Sequence, residues 1–109
     1  MTDRDDVVRV RRRREALDSL ELERQRETAL SERLDLALRD LEAWRADEAA
    51  FARMERDDVD TLRRIGFATK QPPEDARIRL ENQIAEIEAE LAESRRRRRA
   101  FERYADALQ

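Results

Sequence analysis

Cysteine and histidine are both absent from the 109 residues. Without cysteine there is no disulfide framework and no indication of redox compartment. Without histidine the chain lacks the commonest general base and metal ligand, and with neither imidazole nor thiolate a zinc site is excluded. Glycine occurs once and proline twice. All three fall between Gly66 and Pro73, so no strong breaker interrupts a helix elsewhere. Only five aromatics are present: Trp44, Phe51, Phe67, Phe101 and Tyr104. No apolar run approaches the ~18 residues of a membrane span, and residues 1–6 lack the apolar core of a signal peptide. No membrane partner is expected, and the expected location is cytoplasmic.

What the chain does contain is charge. Charged residues make up 47 % and hydrophobic residues 39 %, with a net charge of −3. That composition is too polar for a thick globular core and suits long helices with a narrow apolar seam. The balance does not attract polyanions as a whole. The basic residues are all arginine except Lys70.

From Leu34 onward the apolar residues fall into a heptad. One set is Leu34, Leu41, Glu48, Glu55 and Leu62; the other is Ala37, Trp44, Phe51, Asp58 and Ile65. Spacings alternate between three and four, as a coiled-coil seam requires. Met54 and Val59 flank the acidic positions and are expected to take over packing there. After the breakers the pattern resumes as Leu80, Ile87, Ser94, Phe101, Leu108 and Ile84, Leu91, Arg98, Ala105. Pro73 followed by Glu74 and Asp75 reads as a helix start. Gly66 after Arg63 and Arg64 reads as a helix end.

These signals predict an all-α fold: an antiparallel two-helix coiled-coil hairpin over residues 34–109, with its turn at residues 66–73. Placing Leu62 opposite Leu80 also pairs Phe51 with Leu91, Leu41 with Phe101, Ala37 with Ala105 and Leu34 with Leu108. The midpoint then falls at residue 71, inside the breaker segment. The hairpin seam is predicted to be Leu41, Trp44, Phe51, Leu62, Leu80, Ile84, Ile87, Leu91 and Phe101. In this register Arg98 faces Trp44, where its guanidinium can stack on the indole.

Residues 1–33 have no partner in that hairpin and read as an N-terminal helical extension. A solitary helix of this polarity is marginal in water. Val7, Val10, Leu17 and Leu20 are therefore candidate oligomer contacts, most simply with a second copy of the chain.

Two arginine runs stand out. Residues 95–99 spread over more than a full helical turn, and Glu93 lies four before Arg97, the favourable order for a helical ion pair. They read as a solvated, internally paired face. Arg9, Arg11, Arg12, Arg13 and Arg14 are less compensated and are candidate polyanion contacts, though no aromatics interleave to stack on bases. Asp57, Asp58 and Asp60 lack the spacing and central glycine of a calcium loop. No serine has a histidine base and no glycine-rich loop follows a strand, so the parts of a catalytic site are missing. No cofactor, metal or small-molecule substrate is expected.

The segment Asp57-Asp58-Val59-Asp60-Thr61-Leu62-Arg63-Arg64-Ile65-Gly66, then Phe67-Ala68-Thr69-Lys70 and a second heptad helix resemble the β-type subunit of prefoldin over about residues 56–109. The resemblance implies a small β-hairpin within residues 59–70, assembly into a β-barrel hexamer, and an ATP-independent holdase whose helix tips grip unfolded chains. Beside it stand two readings from the residues themselves. The first is a non-catalytic coiled-coil protein acting through protein–protein interaction or assembly. The other is a nucleic-acid-associated helical module using residues 9–14.

Overall fold

The computed structural model describes residues 4–67 and 71–109. It is all-helical, with three helices and no strand among the described residues: α1 (Arg4–Arg53), α2 (Arg56–Arg64) and α3 (Glu74–Ala107). α1 is 50 residues long and passes through the 33/34 boundary without interruption. The N-terminal extension and the first hairpin helix are therefore one element.

The first break lies earlier than the glycine and prolines suggest. α1 closes with Met54 N–H donating to the Phe51 carbonyl at 3.1 Å. Glu55 then adopts extended backbone, with φ −71° and ψ 148°. The predicted helix over 34–65 is thus split at residues 54–55. The physical reason is local: the first two heptad positions beyond Phe51, Glu55 and Asp58, are acidic, so a straight helix would carry two successive charges on its seam there. α2 instead buries Val59, and Met54 is half-buried beside the break. Asp57 and Asp58 occupy the first turn of α2 and Arg63 and Arg64 its last, each charge favourable to the helix dipole.

α2 ends in a Schellman motif. Gly66 N–H donates to the Arg63 carbonyl at 3.0 Å and Phe67 N–H to the Leu62 carbonyl at 2.9 Å. The motif needs left-handed backbone at Gly66, which has φ +81°. The helix end expected at Gly66 is therefore present, but it closes α2. Of residues 59–70, which the prefoldin resemblance reads as a small β-hairpin, 59–64 are helical and 65–67 form the helix end; residues 68–70 lie outside the described residues. Glu74 and Asp75 open α3, as their acidity suggests.

The chain forms two compact units. The first joins Met1–Leu34 to Glu86–Gln109, and the second is Asp35–Ala85. In the first unit α1 and α3 run antiparallel: Glu23 bonds Ser94 and Arg97, Glu27 bonds Arg95 and Arg98, and Arg33 approaches Glu90. The core there is Ala16, Leu20, Leu30, Ile87, Leu91 and Ala105. In the second unit the Trp44 indole N–H donates to the Pro73 carbonyl at 2.9 Å, and Ala37, Leu41, Val59 and Ile84 are buried. Of the predicted seam, Leu41, Ile84, Ile87 and Leu91 are buried, while Trp44, Phe51, Leu62, Leu80 and Phe101 are half-buried.

The register differs from the predicted one. Residues 94–98 face 23–27 rather than the neighbourhood of Glu48, a displacement of three heptads. Leu20, expected at an oligomer contact, is 5 % exposed and belongs to the intrachain core. Residues 1–33 are not an unpartnered extension, because their seam pairs with the C-terminal half of α3. The heptad of residues 34–51 continues backwards in phase through Arg13, Ala16, Leu20, Glu23, Glu27 and Leu30, all buried or half-buried. The charges at 13, 23 and 27 hide that continuity in the sequence.

Candidate helical interaction surface

The polar centre of the first unit is built around Glu23. Its seam position places the carboxylate between α1 and α3, where the residue is only 6 % exposed. A carboxylate there needs its lone pairs filled. Ser94, fully buried, donates its hydroxyl to Oε2 at 2.9 Å. Arg97 donates Nε–H to Oε1 at 2.7 Å and Arg26 donates to the same oxygen at 2.8 Å. Burial pushes the Glu23 carboxyl upward, but the hydrogen bonds from Arg97 and Ser94 and the charges of Arg26 and Arg97 outweigh it. Its pKa is lowered from the ordinary value of 4.5.

One turn on, Glu27 accepts from Arg98 Nε at 2.7 Å and from Arg95 Nε at 3.2 Å. Arg98 also donates to Glu102 at 3.0 Å, and Arg96 pairs with Glu93 at 2.7 Å. The hydrogen bond to Glu23 raises the Arg97 pKa, and bonds to Glu102 and Glu27 raise that of Arg98. Four of the five arginines in 95–99 are thus engaged with acids. The run is a paired face, as read from the sequence, and the expected Glu93–Arg97 pair is present at 3.6 Å. Its interhelical partners, Glu23 and Glu27, were missed. The available signal was charge complementarity between two heptad positions of α1 and the run in α3.

The predicted stacking of Arg98 on Trp44 does not occur. Arg77 lies over the indole instead, 5.9 Å from the ring centroid, and holds Glu74 and Glu81. This is the same three-heptad shift expressed in the second unit. The bond to Glu74, then those to Glu81, raise the Arg77 pKa.

The candidate polyanion residues do not gather into one stripe. Arg9, Arg11, Arg12 and Arg14 are exposed around more than a full turn of α1, and Arg13 is half-buried at a seam position, its Nε buried without a hydrogen-bond partner. Of the candidate oligomer contacts, Val7, Val10 and Leu17 are exposed. Asp57, Asp58 and Asp60 lie on α2, and no group of three or more acids among the described residues could hold a metal ion. No helix among the described residues is long and apolar enough to cross a membrane.

One flank of the first unit is concave. Arg26, Ala29, Leu30 and Arg33 of α1 and Ala89, Glu90, Glu93 and Arg97 of α3 line a groove of about 650 Å³. Alanine at 29 and 89 makes the depression, and Leu30 forms its floor. On the same flank Leu22 is 62 % exposed and Tyr104 46 % exposed. A smaller hollow of about 220 Å³ continues along it, lined by Arg12, Glu15, Ala16, Ser19, Phe101 and Tyr104. The surface has an apolar floor with charged rims and no nucleophile–base pair, which suits recognition of a helix rather than chemistry on a small molecule.

Comparison with known protein families, curated proteins and solved structures finds no match for this chain.

Proposed function

We propose that the protein is a non-catalytic helical assembly module that binds another protein through the grooved flank of its first unit. The observation that carries this reading is the groove lined by Ala29, Leu30 and Ala89, with Leu22 and Tyr104 exposed beside it. Exposed apolar side chains around a concave, charge-rimmed surface are the features of a helix-docking face. The seam cannot serve this purpose, since its apolar residues are consumed in intrachain packing.

The nucleic-acid reading has weaker support. Arg95, Arg96, Arg97 and Arg98 of α3 are engaged with acids, and the arginines at residues 9–14 point in divergent directions.

The test is site-specific photo-crosslinking in cells. A photoreactive residue at Ala29, in the groove, should give a discrete protein adduct. The same residue at Gln25, on the outer face of α1, should give none. Equal labelling from both sites, or no protein adduct from Ala29, would overturn the proposal.

A further inference from the structure

The geometry points to a specific occupant of the groove: the same groove of a second copy, with α1 of each protomer packed against α3 of the other. This rests on the assembly reading above and deepens it. The rims of the groove differ in charge. The α1 rim carries Arg26 and Arg33, and the α3 rim carries Glu90 and Glu93. Arg26 and Arg97 are both committed to Glu23, and Glu93 to Arg96 and Arg97, so the pair placed to exchange partners is Arg33 with Glu90.

A surface with one basic and one acidic edge is complementary to itself under one kind of two-fold rotation. If the axis runs along the helices, α1 of one protomer lies beside α3 of its partner, antiparallel and at the same level. Arg33 of each protomer then meets Glu90 of the other, once on each side of the axis. If the axis is instead perpendicular to the helices, α1 meets α1 and arginine rim meets arginine rim. Like charges so placed are unfavourable, so the charges select the first arrangement and with it a four-helix bundle.

The other requirements are met. Arg33 and Glu90 sit only 4.0 Å apart within one chain and both are more than half exposed, so they can exchange partners at little cost. Alanines at 29 and 89 allow close helix approach without steric conflict. A flank about 33 Å long and two helices wide offers roughly 650 Å² per protomer, near the ~800 Å² of a stable interface. Isologous two-fold contact is also the commonest way that a chain associates with itself.

The test uses the full-length chain. Light scattering at about 100 μM should give a dimer, because association of micromolar affinity is nearly complete there; a monomer overturns the inference. The chain has no cysteine, so introduced thiols are the only ones present. Ala29→Cys mixed with Ala89→Cys and treated with a short bis-maleimide should give mixed dimers several-fold over self-linked Ala29→Cys. Predominant self-linking of Ala29→Cys overturns the arrangement. Independently, Arg33→Glu and Glu90→Arg should each weaken dimerisation at least tenfold while keeping their helix content, and mixing the two should restore it. No recovery on mixing overturns the pairing. A monomeric chain that still crosslinks from Ala29 to a different protein in cells overturns this inference and leaves the assembly reading standing.

Discussion

Glu23 is both buried and charged, so its loss reaches beyond packing. Its three donors come from α1 and α3 together. Glu23→Ala leaves Ser94 buried with no acceptor and removes the anchor of Arg97. The expected loss is about 2–3 kcal/mol by urea denaturation, at the scale of hydrogen bonds to a charged group. The paired change Glu23→Leu with Ser94→Ala should be far milder, since an apolar layer replaces a desolvated one. The same residue makes stability depend on pH. Its folded-state pKa lies below the ordinary value of 4.5, so its contribution is fully present above that value and is lost as pH falls through the folded pKa. Thermal melts of the parent chain should therefore decline below about pH 4.5, and Glu23→Gln should show a shallower decline over that window.

At the scale of the element, α2 depends on how it ends. Nothing lies within 4 Å of a Cβ placed on Gly66, so space is not the constraint; the φ of +81° is. Gly66→Ala should cost about 1 kcal/mol, the penalty of left-handed backbone for a residue with a side chain. The loss should be seen in amide exchange of residues 59–64, with the exchange of 86–107 unchanged, since those residues belong to the other unit. Trp44 ties α1 to the start of α3 within the second unit through its bond to Pro73. Trp44→Phe removes that bond while keeping an aromatic ring and should cost about 1 kcal/mol. Trp44→Ala also removes the ring beneath Arg77 and should cost about 3 kcal/mol. Similar losses for the two would mean that the indole N–H, and not the ring, holds the contact.

For the molecule as a whole, the consequence of the observed register is that residues 1–33 are required by α3. Removing them uncovers Ile87, Leu91, Ser94 and Ala105, which are buried against α1. A helix left with an unpaired apolar stripe is marginal in water. Circular dichroism of the chain lacking residues 1–33 should thus show loss of helix beyond the deleted segment, by roughly 20 further residues of α3. If residues 1–33 were a separable extension, the helix lost would match the deletion. The two outcomes differ enough for one spectrum to decide between them.

The sequence by itself determined the class of structure, the heptad phase and the end of α2. Arginine- and glutamate-rich stretches without glycine or proline make long helices, and the spacing of Leu34, Ala37 and Leu41, or of Ile84, Ile87 and Leu91, specifies which face is buried. Gly66 is the one residue suited to the left-handed cap, so it was legible as a helix end. Periodicity cannot distinguish registers that differ by whole heptads, because each such shift returns apolar residues to the seam. Turn position would have broken that degeneracy had Gly66 and the prolines marked the only break, but Glu55 adopts extended backbone and α2 lies between the long helices. The tertiary structure decided the register and, with it, the candidate surface. Glu23 and Glu27 look like solvated charges along one helix and become buried layers only when Ser94, Arg97 and Arg98 stand opposite. The groove at Ala29 and Ala89 exists only because those two alanines, distant in the chain, are brought onto one flank by that same pairing of opposite charges.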